Sequence, residues 1–386
     1  MTVELRPLGV ACNIACQYCY QQPQRDAGNV PKTYDIERMK LAIEAEGGPF
    51  ALFGGEPLMV PVADLEALFS WGFERWGKNS IQTNGVLVRD THVALFKRYN
   101  VHVGLSVDGP DELNRVRQAG SAATTAKATA KSLSAIDRLL SAGVVPSLIV
   151  TLHRVNAAGP ALDRMEAWFR DLDRKGVKSV RLHVLESETA TIRALYGLST
   201  EENIAAFTRF AALESELTGL RFDVLREMRR MLMGDEASVS CVWTGCDPYT
   251  TQAVRGVEGQ GQRSNCGRTN KEGIDFLKSE RPGFERYLGL YHTDQAEGGC
   301  QGCRFFLACK GYCPGTALEG DWRNRTEHCD LWKSLFTRLE AELVAEGRTP
   351  LSLDSNRDQL EQEMVAEWAS GRNPRIRRLT NYPKPA

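Results

Sequence analysis

The cysteines decide what this chain can be. There are 11 in 386 residues: three among the first 19, none between Cys19 and Cys241, and eight from Cys241 to Cys329. An odd count, after an opening MTVELRPLGVAC that lacks the basic and apolar regions of a signal peptide, argues against a disulfide framework. It points to metal or redox chemistry in a reducing, cytoplasmic setting. No run of 18 apolar residues occurs, so no membrane span is expected. Lys plus Arg (48) nearly balance Asp plus Glu (49), which leaves no global field to draw the chain to nucleic acid or to a membrane surface. With 42% hydrophobic and 25% charged residues the bulk is globular rather than disordered.

Between the two cysteine-rich segments, short apolar runs alternate with helical patterns. Residues 50–53, 80–83, 101–107, 145–151 and 180–184 read as strands, and 35–46, 62–75, 90–99, 124–142 and 160–174 as amphipathic helices. Thr33 is the expected N-cap of the first helix and Gly47-Gly48 its stop. Strand and helix alternating six times predict an α/β fold with a parallel sheet and right-handed crossovers, open or closed into a partial barrel, whose site gathers at the carboxyl ends of the strands. The expected division is a barrel over 1–200, a helical bridge over 201–240, a cysteine-rich domain over 241–335, and terminal helices with a basic tail over 336–386. The Gly- and Cys-rich region 241–329 promises little core of its own, so bound metal is expected to supply much of its folding energy. The tail GRNPRIRRLTNYPKPA is expected to be solvated.

Cys12, Cys16 and Cys19 form a C-x3-C-x2-C loop directly after the first strand. Three thiolates on one loop suit an iron–sulfur cube with one iron open to a small ligand, because a cube held by protein alone usually takes four. A zinc loop borrowing a distant ligand is the competing reading. The spacing, followed by Tyr20, resembles the signature of the radical S-adenosylmethionine superfamily. Gly54-Gly55-Glu56-Pro57 resembles the family's GGEP segment at the methionyl amino group, where glycines permit close backbone approach and Glu56 can accept from an ammonium. The segments from Gln82 to Gly85 and from Ser106 to Pro110 look like the QTNG and S-x-DGP segments of peptide-modifying members. The resemblance implies that Tyr18, Gly54, Gly55, Glu56, Pro57, Asn84 and Ser106 surround the cofactor, with Arg117 pairing the methionyl carboxylate and Arg115 as its competitor.

The later cysteines read C-x4-C from Cys241, G-x4-C ending at Cys266, C-x2-C-x5-C-x3-C from Cys300 to Cys313, and then Cys329. This resembles the SPASM domain, which carries auxiliary [4Fe-4S] clusters. The resemblance implies one cluster on Cys241, Cys246, Cys266 and Cys313 and another on Cys300, Cys303, Cys309 and Cys329, three clusters in all. Paired structural zinc sites remain the alternative, since four thiolates suit either metal.

What the family implies is cleavage of S-adenosylmethionine to a 5′-deoxyadenosyl radical, hydrogen abstraction from a substrate carbon, and electron acceptance by the auxiliary clusters. The expected function is oxidative maturation of a ribosomally made peptide encoded nearby, a side-chain cross-link above all, with a flavodoxin- or ferredoxin-type reductant. Only 11 residues precede Cys12, so a separate protein is expected to bind any leader. Sulfatase maturation to formylglycine is the first alternative. There an aspartate acting as base follows the cysteine that matches Cys266, and Gly267 stands in that place. Oxidation of a small alcohol and a non-catalytic electron carrier are further readings. Asp247, Tyr249, His153 and His183 are candidates for a proton-accepting or orienting role, and the tail is a candidate clasp for an acidic leader.

Overall fold

The computed structural model describes residues 2–187, 189–237, 239–244, 246–247, 254–269 and 283–379. Among the described residues nine strands form one sheet: β1 (Val3–Arg6), β2 (Phe50–Leu52), β3 (Asn79–Thr83), β4 (Val101–Ser106), β5 (Ser147–Leu152), β6 (Ser179–Val184), β7 (Arg221–Phe222), β8 (Arg255–Glu258) and β9 (Arg263–Ser264). Their order is β7-β6-β5-β4-β3-β2-β1-β8-β9. All neighbours run parallel except β8 and β9. Each crossover carries a helix, including Ile36–Glu46, Val62–Trp76, Asp90–Arg98, Ala122–Ser141 and Ala161–Lys175. The fold is thus the expected α/β architecture with a parallel sheet.

Local chemistry sets the boundaries. Asp35 rather than Thr33 caps the first long helix, because its carboxylate accepts from the Glu37 and Arg38 amides, both at 3.0 Å, and Gly47 ends it at φ 69°. β5 starts two residues later than the apolar run, after Pro146, which has no N–H for the ladder. The last three strands escaped the sequence reading. β8 is fully buried yet begins with Arg255 and ends with Glu258, charges that a hydrophobic pattern does not mark as strand. Arg255 bonds the Glu46 carbonyl, and the buried Arg6 of β1 pairs Glu258 at 2.8 Å, so β8 is held beside β1 by paired charges.

Two compact units divide the chain: Met1–Asp223 with Arg255–Phe276, and Val224–Val254 with Leu277–Ala386. The first holds the whole sheet and takes in the helix Thr200–Glu214, which the sequence placed in a bridge. Within it Arg268, just past β9, bonds Glu186 at 2.9 Å and the His183 ring at 3.3 Å, linking the segment after β9 to β6 across the sheet order. The second unit has a larger core than its composition suggested. Phe284, Tyr287, Leu290, Phe306, Leu351, Leu360, Met364, Trp368 and Ile376 pack together, as do Trp243, Tyr312, Trp332 and Phe336. The helices Cys329–Ala345 and Arg357–Ala369 supply much of that apolar surface. The start of the basic tail is docked, not solvated. The Ile376 amide donates to Glu236 at 2.6 Å, its side chain is buried, and Arg377 stands 3.8 Å from Asp235, while Arg372, Arg375 and Arg378 are exposed and residues 380–386 lie outside the described residues.

Candidate active site

Every motif of the first unit leaves the carboxyl end of a parallel strand, so they meet at one end of the sheet. The loop after β1 carries Cys12, Cys16 and Cys19 and is laid along the segment after β4, with Ala15 N donating to Gln118 O (2.7 Å) and Gln17 N to Val116 O (3.0 Å). The loop after β2 docks on it backbone to backbone, Gly55 N to Gly9 O (3.3 Å) and Glu56 N to Ala11 O (2.8 Å). A Cβ at Gly54 would stand 2.2 Å from Gly9 O, and one at Gly55 2.0 Å from Ala11 O. This contact needs both glycines, and Gly54 also adopts φ 110°.

Glu56 is buried, and its carboxylate accepts from Leu58 N (3.0 Å), Thr83 Oγ1 (2.7 Å) and Asn84 N (2.8 Å). It joins the loops after β2 and β3, so its oxygens are engaged by the protein. Pro57 follows it into a one-turn 3-10 helix. Asn84 donates to Asn13 at 2.7 Å and approaches Cys12 Sγ at 3.8 Å. At the end of β4, Ser106 Oγ accepts from Gln82 Nε2 at 2.8 Å.

Asp108 is the most connected group. It is fully buried, its backbone N–H donates to Asn114, and its carbonyl accepts from Asn156, both at 2.8 Å. Its carboxylate accepts from Thr151 N (2.9 Å) and from the Tyr18 hydroxyl, with His153 Nε2 3.6 Å away. Arg117 Nη1 donates to the Tyr18 oxygen at 3.0 Å and lies 4.0 Å from Asp108. Burial would push the Asp108 carboxyl up, but the neighbouring His153, Arg117 and Tyr18 hold it below the ordinary aspartate range. Burial, with the Asp108 charge, pushes the Tyr18 phenol well up. Of the two candidate arginines, Arg117 is tied into this network and Arg115 is exposed.

The three thiols fit an iron–sulfur group better than they fit solitude. Burial pushes Cys12 up and Cys16 up to about 12, so unliganded they stay neutral. Yet each has a donor or cation beside it: Asn84 at Cys12, Arg25 Nη2 at 3.7 Å from Cys19, and the Arg117 charge at Cys16. Among the described residues no group of three or more His, Cys, Asp or Glu is gathered closely enough to hold a single metal ion. A cube spreads its thiolates more widely than one tetrahedral ion does.

In the second unit Cys300, Cys303, Cys309 and Cys329 come together. Burial raises Cys300 to about 12 and Cys309 well above its ordinary value, the sulfurs raise one another further, and Arg286, Arg325 and Lys333 supply opposing charge. Cys241, Cys246 and Cys313 belong to the same unit, whereas Cys266 stands in the first, with the Arg268 amide 3.4 Å from its sulfur. Asp247 is buried, and Tyr249 lies outside the described residues. His183 is lowered well below its ordinary value by burial and by Arg268, so it is neutral and accepts from that arginine through Nδ1. The sequence reading missed Arg25, Asn114, Asn156, Glu186 and Arg268. Arg25 lies six residues beyond Cys19, Asn114 six beyond Asp108 and Arg268 two beyond Cys266, near enough to motifs to be noticed, whereas Asn156 and Glu186 are not.

A parallel sheet with a three-cysteine loop and a backbone-docked glycine pair at its carboxyl end defines a class of cofactor-dependent radical enzymes. Residues 7–159 match the Radical SAM superfamily. The serine-type anaerobic sulfatase-maturating enzyme of Bacteroides thetaiotaomicron is 30% identical over 351 residues, 81% of this chain and 82% of that protein. That of Klebsiella aerogenes is 29% identical over 209 residues, so the match spans about half of each, 51% of this chain and 50% of that protein. Among solved structures, anSMEcpe with bound AdoMet and Cp18Cys peptide superposes with TM-score 0.68 at 18% identity, over 89% of this chain and 98% of that one. Streptococcus suis SuiB bound to precursor peptide SuiA gives TM-score 0.54 at 13% identity, over 85% and 75%. The chain belongs to the radical SAM superfamily, in the SPASM-type subgroup that includes the anaerobic sulfatase-maturating enzymes.

Proposed function

We propose that the chain is a peptide or protein maturase that performs a net two-electron oxidation of a substrate side chain, using S-adenosylmethionine and three [4Fe-4S] clusters. With a cluster on Cys12, Cys16 and Cys19, the bound cofactor supplies a 5′-deoxyadenosyl radical able to take hydrogen from an unactivated carbon. The chain's own residues hold and orient. Arg117 offers a guanidinium fork to the methionyl carboxylate, and Tyr18 and Asp108 fix that fork. The backbone of Gly54 and Gly55 brings the loop after β2 against the cysteine loop, and Glu56 keeps Pro57 and Asn84 in place. The thiols of Cys300, Cys303, Cys309 and Cys329 would hold one auxiliary cluster, with Arg286, Arg325 and Lys333 offsetting its charge. Cys241, Cys246, Cys266 and Cys313 would hold the other. We place the protein in the cytoplasm with a flavodoxin- or ferredoxin-type reductant and, for a leader-bearing substrate, a separate leader-binding protein. Among the described residues no helix is long and apolar enough to cross a membrane.

The observation that favours a cross-link or similar oxidation over formylglycine is Gly267. Glycine offers no carboxylate there, and a Cβ would meet Arg6 Nη1 at 3.2 Å, a tight contact, and the Tyr20 ring at 3.5 Å and Gln24 at 3.6 Å, which are ordinary ones. Formylglycine formation is the second reading, supported by the sulfatase-maturating relatives. Co-expression with a peptide encoded beside the gene, and separately with a sulfatase-motif peptide, decides between them. A neighbouring peptide lighter by a pair of hydrogens and inert to a hydrazide label supports the first. A hydrazide-reactive aldehyde on the sulfatase peptide alone establishes the second.

A further inference from the structure

His153 follows β5 and is fully buried, yet neither ring nitrogen has a hydrogen-bond partner among the described residues. Buried polar groups are nearly always satisfied, so an imidazole in this state needs an account. Its backbone is pinned independently: His153 N donates to Asn156 Oδ1 at 2.8 Å, and Asn156 also holds the Asp108 carbonyl. The ring is therefore not required to shape the turn. Nε2 stands 3.6 Å from Asp108 Oδ2, a few tenths of an ångström beyond a hydrogen bond, and the ring tilts over Tyr18 with centroids 6.0 Å apart. Asp108 Oδ1 is occupied by Thr151 N, and Oδ2 takes the Tyr18 hydroxyl, which leaves Oδ2 capacity for one more donor.

We infer that His153 is a positioning residue for the carboxylate grip: its Nε2–H completes the Asp108 carboxylate, which fixes the Tyr18 hydroxyl, and that hydroxyl fixes Arg117. The inference rests on the reading in which Arg117 takes the carboxylate of S-adenosylmethionine. Arg117 is 4.0 Å from Asp108, too far for a direct bond, and its hydrogen bond goes to Tyr18 at 3.0 Å. The aim of the guanidinium therefore depends on where the Tyr18 oxygen sits, and the Tyr18 oxygen sits where Asp108 holds it. One donor of the fork is spent on Tyr18 and the others remain to pair a ligand carboxylate.

The test compares two ligands on the reconstituted holoprotein by calorimetric titration. S-adenosylhomocysteine carries the amino-acid carboxylate, and 5′-methylthioadenosine shares the nucleoside but lacks it. His153→Phe should weaken the first about tenfold, as loss of one charge-assisted bond implies, and leave the second unchanged. His153→Gln, which keeps an N–H near the Nε2 position, should bind both as the native protein does. Should the Phe variant not fold, His153→Leu is read in the same way, because it too removes the Nε2 donor. Equal loss of both ligands, or loss of neither, overturns the inference when Arg117→Ala loses S-adenosylhomocysteine. If Arg117→Ala also binds normally, the reading of Arg117 falls, and the inference falls with it.

Discussion

At the scale of single residues, the motifs mark candidate residues more readily than they mark the partners those residues bond. The motif spacing favours Arg117 with Arg115 as its competitor, and in the structure Arg117 bonds Tyr18 while Arg115 is exposed. Arg117→Ala should weaken S-adenosylmethionine binding by about ten- to a hundredfold with iron content unchanged, while Arg115→Ala should bind normally by the same titration. Asp108 could be picked from its motif, but Thr151 and Asn156 could not, because their bonds to it come from more than 40 residues away and leave no local pattern. A second residue-scale expectation concerns Glu361, where burial, only partly offset by Arg357, pushes the carboxyl up to about 7 from an ordinary 4.5. A raised carboxyl favours the fold while it is protonated, so stability should fall as pH rises from about 4.5 to about 7. Glu361→Gln should remove that fall. Melting curves across the window check it, and parallel pH profiles for native and variant protein would refute it.

Among elements, periodicity revealed five of the strands that lead into the site, since Val, Ile and Leu alternate or run together there. It did not reveal β8, whose Arg255 and Glu258 are buried by pairing rather than by apolarity. The GGEP segment was legible as a motif, yet its structural reason lies in the partner loop, where Gly9 O and Ala11 O occupy the space of two side chains. Gly55→Ala should therefore push the loops after β1 and β2 apart. Overpacking of this kind costs about 1–3 kcal/mol, so thermal unfolding should come earlier, with lower affinity for S-adenosylmethionine. An Ala variant that melts and binds like the native protein would show that the backbone docking is not needed.

For the whole molecule, the cysteine spacing made the two-part organisation visible but misjudged how the second part is held. Its core of Trp243, Tyr287, Trp332 and Trp368 draws on helices beyond the last cysteine, where burying each large apolar side chain stabilises by roughly 1.5–3 kcal/mol. Iron-depleted protein should therefore keep much of its near-ultraviolet circular dichroism from those tryptophans, and a flat spectrum would return the folding energy to the metal. The division was also drawn as one cut, whereas the chain leaves the first unit after Asp223 and comes back at Arg255 to lay β8 against β1. During synthesis β1 must wait for β8, which follows it by about 250 residues. Until β8 leaves the ribosome, β1 keeps an open edge for roughly ten seconds to a minute, at about 5 to 20 residues per second. Such an edge can pair with a neighbouring nascent chain. Expression at low temperature and slow induction, or a chaperone that shields that edge, should therefore raise the yield of folded enzyme more than added iron alone.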